Sequence, residues 1–144
     1  MKKFILLLML IILTLSITAC QSAKDISLPD PKNIVSIELE YGQQKCQVSD
    51  KNIIEEVISE VAKSAKYTNI QSVNDQPTNV DSFITVKFNH SNTDESAQSI
   101  AYIYQRKGKV YIEQPYTGIW RVDDNIYARL IDKITINYKT IQIA

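Results

Sequence analysis

The sequence predicts an α+β domain, in which a curved antiparallel sheet of about five to six strands carries one long packed helix and a short C-terminal helix. Two observations favour this fold class. Several short segments alternate apolar with polar residues and are separated by turn residues, which is typical of hairpins. Between the first hairpin and the later strands, apolar residues recur at steps of three and four, which is typical of an amphipathic helix.

The predicted domain begins with a hairpin. Residues 34–41 alternate strictly and predict a strand with one buried face. Gly42 and Gln43 indicate a turn, and residues 45–48 form a short return strand. Cys46 shares strand parity with Val48 and is therefore interpreted as a small buried residue.

A long helix follows this hairpin. Ser49 or Asp50 can cap it, because their side-chain oxygens accept hydrogen bonds from the free amides of the first turn. Its apolar stripe consists of Ile54, Val57, Ile58, Val61, Ala62 and Ala65.

The middle of the chain alternates loops and strands. Residues 72–81 (SVNDQPTNVD) contain turn-forming residues and predict a loop that carries the chain from the helix to the sheet. Residues 83–88 alternate as a half-buried strand does. The polar stretch 90–96 then predicts an exposed loop or hairpin tip, which includes His90.

A second hairpin is predicted from residues 100–105 and 110–114. Gly108 supplies the positive φ that a tight turn favours. Pro115 cannot donate to a strand ladder and ends the second strand. After a turn, residues 119–122 predict one further short strand.

The C-terminal region predicts a short helix. Asp123, Asp124 and Asn125 can cap a helix whose apolar positions include Ile126 and Leu130. Residues 135–144 alternate again, so a last strand and a frayed end both remain open for them.

The start of the chain has the layout of an export signal. Lys2 and Lys3 precede an apolar run over residues 4–13, which is shorter than the roughly 20 residues that a membrane span needs. Residues 17–20 (ITAC) resemble the lipobox of bacterial lipoproteins. That resemblance implies cleavage before Cys20 and acylation of its thiol, with ordinary secretion as the alternative.

These features divide the chain into three parts: a signal peptide over residues 1–19, a lipidated cysteine with a flexible tether over 20–32, and a single domain over 33–144. The tether prediction depends on Pro29, Pro31 and the polar composition around them. Without Lys2 and Lys3 the formal net charge is about −2, and no basic patch for nucleic acid is apparent.

No set of residues with a recognisable catalytic pattern is apparent. His90 is predicted to be a solvated loop residue, and a Cys46–His90 pair lacks an orienting third group. One histidine and one unlipidated cysteine do not make a tetrahedral metal site, and three scattered glycines do not make a phosphate loop. We therefore expect no catalytic residues, no metal and no cofactor.

Aromatic residues are concentrated late in the chain, with Tyr102, Tyr104, Tyr111, Tyr116 and Trp120 close together in sequence. By parity, the two strands of the second hairpin cannot bury all of their tyrosines, so some rings should lie at the surface. Pro115 and Gly118 suggest a rigid bend that projects Tyr116. The candidate binding surface consists of Tyr111, Glu113, Tyr116 and Trp120, with ordinary sheet packing as the alternative.

Three segments carry a resemblance to a known family. Residues 111–120 (YIEQPYTGIW), residues 72–77 (SVNDQP) and the end of the long helix resemble small lipoproteins of Gram-positive bacteria that carry a domain of unknown function. The likeness covers most of residues 34–130, and Trp120 replaces the more usual tyrosine. The resemblance implies a lipoprotein and an α+β domain, but it implies no catalytic residues.

From these observations we expect a lipid-anchored domain on the outer face of the cytoplasmic membrane. Membrane lipid is the partner expected for acylated Cys20, and a protein, a peptide or an envelope polymer is expected for the domain. The domain is expected to be non-enzymatic. The alternative is a small hydrolase or thiol redox protein that uses Cys46.

Overall fold

The computed structural model describes residues 24–91 and 98–143, with side chains as far as residue 136. The predicted signal peptide and Cys20 lie outside the described residues, as do residues 92–96 of the predicted polar loop. The strands of the described part are β1 (Ile34–Tyr41), β2 (Gln44–Val48), β3 (Lys66–Ile70), β4 (Phe83–His90), β5 (Gln98–Arg106), β6 (Lys109–Gln114) and β7 (Gly118–Val122). Its α-helices are α1 (Lys51–Ser64) and α2 (Asn125–Ile143).

The strands form one antiparallel sheet in the order β2-β1-β4-β5-β6-β7-β3. Both predicted hairpins are present, as β1–β2 and β5–β6. The predicted fold class is confirmed, because a helix packs on an antiparallel sheet and a second helix ends the chain. The predicted number of about five to six strands is too low, since the described residues contain 7.

The strand that was not predicted is β3, at one edge of the sheet beside β7. Residues 66–70 (KYTNI) do not alternate apolar with polar residues. The pairing with β7 is also irregular, because its register shifts between Tyr67 and Ile70, where Asn69 has a φ of 61°. The Thr68 hydroxyl donates a hydrogen bond of 2.7 Å to the Ile119 carbonyl oxygen and so reinforces this edge. Tyr67 and Thr68, which are both common residue types in strands, were the available signal.

Helix α1 begins where the sequence predicts. Asp50 is its N-cap, and its carboxylate accepts from the backbone amides of Asn52 (2.9 Å) and Ile53 (3.2 Å). Ile54, Ile58 and Val61 are its buried residues. Capping and apolar periodicity together therefore determine this element locally.

Helix α2 is longer than the short helix that the sequence predicts. It continues through the region for which a strand and a frayed end were left open, and it ends at Ile143. The Thr135 hydroxyl donates to the Ile131 carbonyl oxygen (2.9 Å), a local hydrogen bond that a helix allows. The spacing of Ile134, Tyr138 and Ile141 is also helical, so alternation alone was a misleading signal here.

The core lies between the two helices and one face of the sheet, which we call the core face. Its buried residues from the sheet lie at alternate positions of each strand, except that a register shift between Ile34 and Ser36 brings Ile34 of β1 into the core as well. The paired residues Ile37 and Phe88, Ile84 and Ile103, and Ile112 and Trp120 illustrate the alternation. From the helices, Ile54, Ile58, Val61, Ile126, Leu130 and Ile134 complete the cluster. The opposite side of the sheet, which we call the second face, has no helix packed on it in the described part of the chain.

The stretch that was predicted as a flexible tether contacts the domain from Lys24 onward. Ile26 and Leu28 pack against the core cluster. Pro31–Asn33 forms one turn of 3-10 helix, with Asp30 as its N-cap. The prediction of a tether up to Lys32 is therefore wrong for residues 24–32, because the apolar residues Ile26 and Leu28 pack against the core.

Candidate functional site

The second face has a charged half and a tyrosine half. On β1, β2 and β4 it carries Glu38, Glu40, Lys45 and Lys87. On β5, β6 and β7 it carries Tyr102, Tyr104, Tyr111, Glu113 and Ile119.

The charged half is internally balanced. Lys45 forms an ion pair with Glu40, and Lys87 lies 3.0 Å from Glu40 and 3.3 Å from Glu38. The hydrogen bond from Lys45, assisted by the one from Lys87, lowers the pKa of Glu40 to about 2. Because acids and bases neutralise each other here, this half offers no single charge to a ligand.

The tyrosine half is ordered by cross-strand pairing. Tyr104 and Tyr111 lie opposite each other on β5 and β6, and their rings stack with centroids 5.9 Å apart. Phe83 and Tyr102 meet edge to face at 5.2 Å. Such pairs contribute about 0.5 to 1.5 kcal/mol each beyond the burial of their area, so the tyrosine half is well positioned before any ligand arrives.

The tyrosine half includes a buried carboxylate, that of Glu113. Glu113 accepts hydrogen bonds from the Ser72 hydroxyl (2.7 Å) and from the Tyr104 hydroxyl (3.2 Å), and all three residues are buried. Burial raises the pKa of Tyr104, and the neighbouring Glu113 carboxylate raises it further. Tyr104 therefore stays protonated as a donor, and the network fixes its ring.

Residues 71–82, which we call the crossing loop, lead from the β3 edge to β4 and cover part of the second face. The loop approaches β6, because Ser72 reaches Glu113, and Pro77 within the loop is buried. Its side-chain hydrogen bonds are Ser72 to Glu113 (2.7 Å), Tyr116 to Asp75 (2.6 Å) and Tyr41 to Ser82 (3.3 Å). The loop predicted from the sequence is thus confirmed, and it serves as a partial cover for the sheet.

A cleft of about 270 Å³ opens beside this loop, and we call it the tyrosine cleft. Its lining consists of Thr68, Ile70, Tyr104, Arg106, Lys107, Tyr111 and Ile119. Two cations and no acid are in this set. The cleft is slightly smaller than typical drug-sized sites, so it fits one ring or one side chain.

Lys107 enters this cleft from an unusual backbone position. Lys107 and Gly108 form the β5–β6 turn with φ values of 53° and 71°. Gly108 behaves as predicted, whereas asparagine, aspartate or glycine is preferred at the position of Lys107. Arg106 and Lys107 fall between the two predicted strands of this hairpin, so the sequence indicates a turn there and gives no sign of a pair of cleft cations.

The four residues of the predicted binding surface are separated by the fold. Tyr111 lines the tyrosine cleft. Glu113 is buried behind it rather than exposed, so a surface position for this residue is wrong. Tyr116 is 61% exposed at the β6–β7 turn, with a φ of 57°.

Trp120 is the clearest correction. It is 0% exposed and lies on the core face, because it shares parity with buried Val122. Its indole Nε1 donates to the Lys24 carbonyl oxygen (2.7 Å). A Cβ at Gly118 would lie 2.9 Å from the Tyr67 ring and 3.0 Å from the Trp120 ring. Glycine is therefore required at position 118 because the two rings leave no room for a side chain, and not because of a positive φ.

Cys46 and His90 do not form a catalytic pair. Cys46 is buried in the core, as its parity predicts, and it pairs with Leu39 on β1. His90 pairs with Ile34 at the other end of β1, about 17 Å away at roughly 3.4 Å per residue. His90 is the last residue of β4 rather than a loop residue, and its Nε2 lies 2.8 Å from the Ser99 hydroxyl.

The described residues contain neither a metal-binding cluster nor a membrane-spanning helix. No group of three or more His, Cys, Asp or Glu residues there could hold a metal ion. Among the helices of the same residues, none is long and apolar enough to cross a membrane.

Fold and site together define an α+β domain with helices on one face of its sheet and a partly covered cleft on the other. The family DUF5301, described as a domain of unknown function, matches residues 22–121, and the chain belongs to this family. The fold is similar to an NMR structure of a protein from Ruminococcus gnavus, at 26% identity and a TM-score of 0.57. That match covers 69% of this chain and 92% of the other. No curated protein matches the chain.

Proposed function

We propose that the protein is a lipoprotein anchored through Cys20 to the outer face of the bacterial cytoplasmic membrane, and that its domain binds a ligand without catalysis. The anchoring part is supported by the two lysines, the apolar run and the lipobox-like residues 17–20. At least two acyl chains are needed for stable anchoring, since each buried methylene contributes about 0.8 kcal/mol.

The binding part rests on one observation, the tyrosine cleft. Its wall is an aromatic ring held by stacking and by a buried hydrogen-bond network, and its rim carries Arg106 and Lys107. A prearranged wall reduces the entropy that is lost on binding. Because the lining of the cleft contains two cations and no acidic residue, it favours a ligand with an anionic group.

We infer a ligand unit that joins one ring to a carboxylate or phosphate. A unit of this size can belong to a peptide or to an envelope polymer, and the inference concerns the chemistry that both would share. Thiol chemistry at Cys46 is not favoured, because the side chain is buried in the core. A reactive cysteine needs at least partial exposure.

An NMR titration of the mature domain tests the cleft. Phenyl phosphate and phenol are the probes, because they share a ring and differ in the anionic group. We expect phenyl phosphate to shift the resonances of Tyr111, Ile119 and their neighbours, and phenol to shift them much less. Equal responses to both probes contradict the role of the cations, and no response in the cleft contradicts the site.

Charge variants sharpen that titration. Arg106→Gln and Lys107→Gln should each weaken the response to phenyl phosphate, because each removes one cation from the rim. Lys63→Gln is the matched control, since it removes an exposed cation from α1. Equal weakening by the control would show that general charge, and not the cleft, attracts the probe.

The anchor has its own test. Cys20→Ser should abolish labelling by a radioactive or clickable fatty acid and should leave the unprocessed precursor, because the maturation implied by the lipobox needs the thiol before cleavage. Cys46→Ser is the control and should leave labelling intact. Equal labelling of the wild type and Cys20→Ser contradicts the anchor.

A further inference from the structure

The beginning of the described chain is held at one particular end of the sheet. The Lys24 carbonyl oxygen accepts from the Trp120 indole (2.7 Å), and the Lys24 ammonium donates to the Thr117 carbonyl oxygen (2.6 Å). That ammonium also lies 5.6 Å from the Tyr67 ring centroid and 5.9 Å from that of Trp120. Cation–π contacts at such distances add attraction, so Lys24 is fixed from several directions.

The next residues extend this attachment. The Gln114 side-chain amide donates to the Ser27 carbonyl oxygen (2.8 Å). Ile26 and Leu28 pack against the core cluster. Polar and apolar contacts thus both hold residues 24–28 against the domain.

These contacts surround the β6–β7 turn, residues 115–117, which we call the anchor end. The β5–β6 turn, residues 106–109, lies at the opposite end of β6, and we call it the cleft end. Six residues of β6 separate the two turns, which is roughly 20 Å at 3.3 Å per residue. The cations Arg106 and Lys107 belong to the cleft end.

Chain length limits how far the anchor end can be from the lipid. Only four residues lead from Cys20 to Lys24, and four fully extended residues span at most about 14 Å. A free tether up to residue 32 would have allowed the domain to turn in any direction. The attachment at Lys24 removes most of that freedom.

We propose that the anchor end is a membrane-facing surface that lies against the headgroups of the bilayer, while the cleft end points away from the membrane. This proposal rests on acylation of Cys20. Tyr116 supports it, because its ring is 61% exposed at this end and tyrosine suits the boundary between apolar and aqueous phases. The orientation leaves the tyrosine cleft open toward the cell envelope.

Fluorescence quenching on vesicles tests this orientation. The full-length protein as purified from bacterial membranes, in a Cys46→Ala background, is reconstituted into vesicles of phosphatidylglycerol and phosphatidylcholine that contain a headgroup nitroxide quencher. One fluorophore is attached through Thr117→Cys at the anchor end or through Lys107→Cys at the cleft end. We expect loss of most of the fluorescence at position 117 and little loss at position 107.

A matched variant isolates the cause. Inserting a flexible Gly-Ser segment between Ala23 and Lys24 lengthens the connection and leaves the domain contacts in place. Quenching at position 117 should then fall to the level at 107. Gln76→Cys, beside the Asp75 that binds Tyr116, is a second anchor-end label if Thr117→Cys does not fold.

Vesicle flotation separates the two claims. Flotation with equal quenching at both ends overturns the orientation and leaves the anchor intact. If the protein does not float, the proposal that Cys20 is acylated is wrong, and the proposed orientation fails with it. Flotation with strong quenching at 117 alone supports both.

Discussion

The two faces of the sheet differ in what covers them and in what their side chains do. The core face is covered by α1 and α2, and its residues are apolar and almost wholly buried. The second face is covered only in part, by the crossing loop, and it carries ion pairs, stacked tyrosines and a cleft. Neighbouring residues of one strand therefore face different surroundings, a helix-covered core on one side and a partly open polar and aromatic surface on the other.

The largest expected effect lies on the core face. Trp120→Ala should destabilise the domain by about 3 to 5 kcal/mol, because a fully buried aromatic side chain leaves a cavity. Chemical denaturation measures this free energy of unfolding. Trp120→Phe is the control, since it keeps an aromatic ring and loses the hydrogen bond to Lys24. A loss below about 1 kcal/mol for Trp120→Ala contradicts its placement in the core.

A smaller effect is expected where the second face is buried. Glu113→Ala should cost roughly 1 to 3 kcal/mol, because the Ser72 and Tyr104 hydroxyls lose their acceptor. The control is Glu55→Ala, which removes an exposed carboxylate from α1. A double-mutant cycle with Ser72→Ala measures the coupling, and strict additivity would count against a direct hydrogen bond.

The charged half of the second face predicts a pH dependence. Ion pairing lowers the pKa of Glu40 to about 2, from an ordinary value of 4.5. A lowered pKa means that this stabilisation is present above pH 4.5 and is lost as the pH falls toward 2. We expect about 1 kcal/mol or less, because pairs near the surface are screened. Denaturation curves of wild type and Glu40→Gln should converge as the pH falls, and a constant difference contradicts the pairing.

The smallest effect on stability is expected at the anchor end. Tyr116→Ala should leave the melting temperature nearly unchanged, because the ring is mostly exposed and its hydroxyl donates a hydrogen bond to the exposed Asp75. Asp75→Ala is the matched change of the other partner. A large fall in melting temperature for Tyr116→Ala alone would show that the ring belongs to the core.

Local patterns explain which parts of the fold could be predicted. Helix α1 and the two hairpins were predictable, because a cap, a periodicity or a turn determines each of them within a few residues. Strand β3 and the packing of Lys24 depend on β7, which is distant in sequence. The strand-favouring residues Tyr67 and Thr68 are a weak local signal for β3, and no local pattern indicates its pairing with β7 or the packing of Lys24.

The candidate site shows the same division. The alternation of side chains along the strands was enough to indicate that some tyrosines lie outside the core. The same alternation places Trp120 and Val122 on one face, which indicates a buried Trp120. The position of Arg106 and Lys107 at a cleft depends on how β3 pairs with β7, because Thr68 and Ile70 of β3 line the same cleft. That arrangement is tertiary, so sequence reasoning identified Tyr111 and missed the two cations.

Photocrosslinking in intact cells tests the central claim, that the second face recognises the ligand. A photoreactive residue replaces Ile70 at the tyrosine cleft or Ile136 on α2, two isoleucines that are 53% and 64% exposed. We expect position 70 to give a product that position 136 does not give, and Arg106→Gln to remove that product. The same products from both positions, or a product at 70 that survives loss of the cation, would contradict the account.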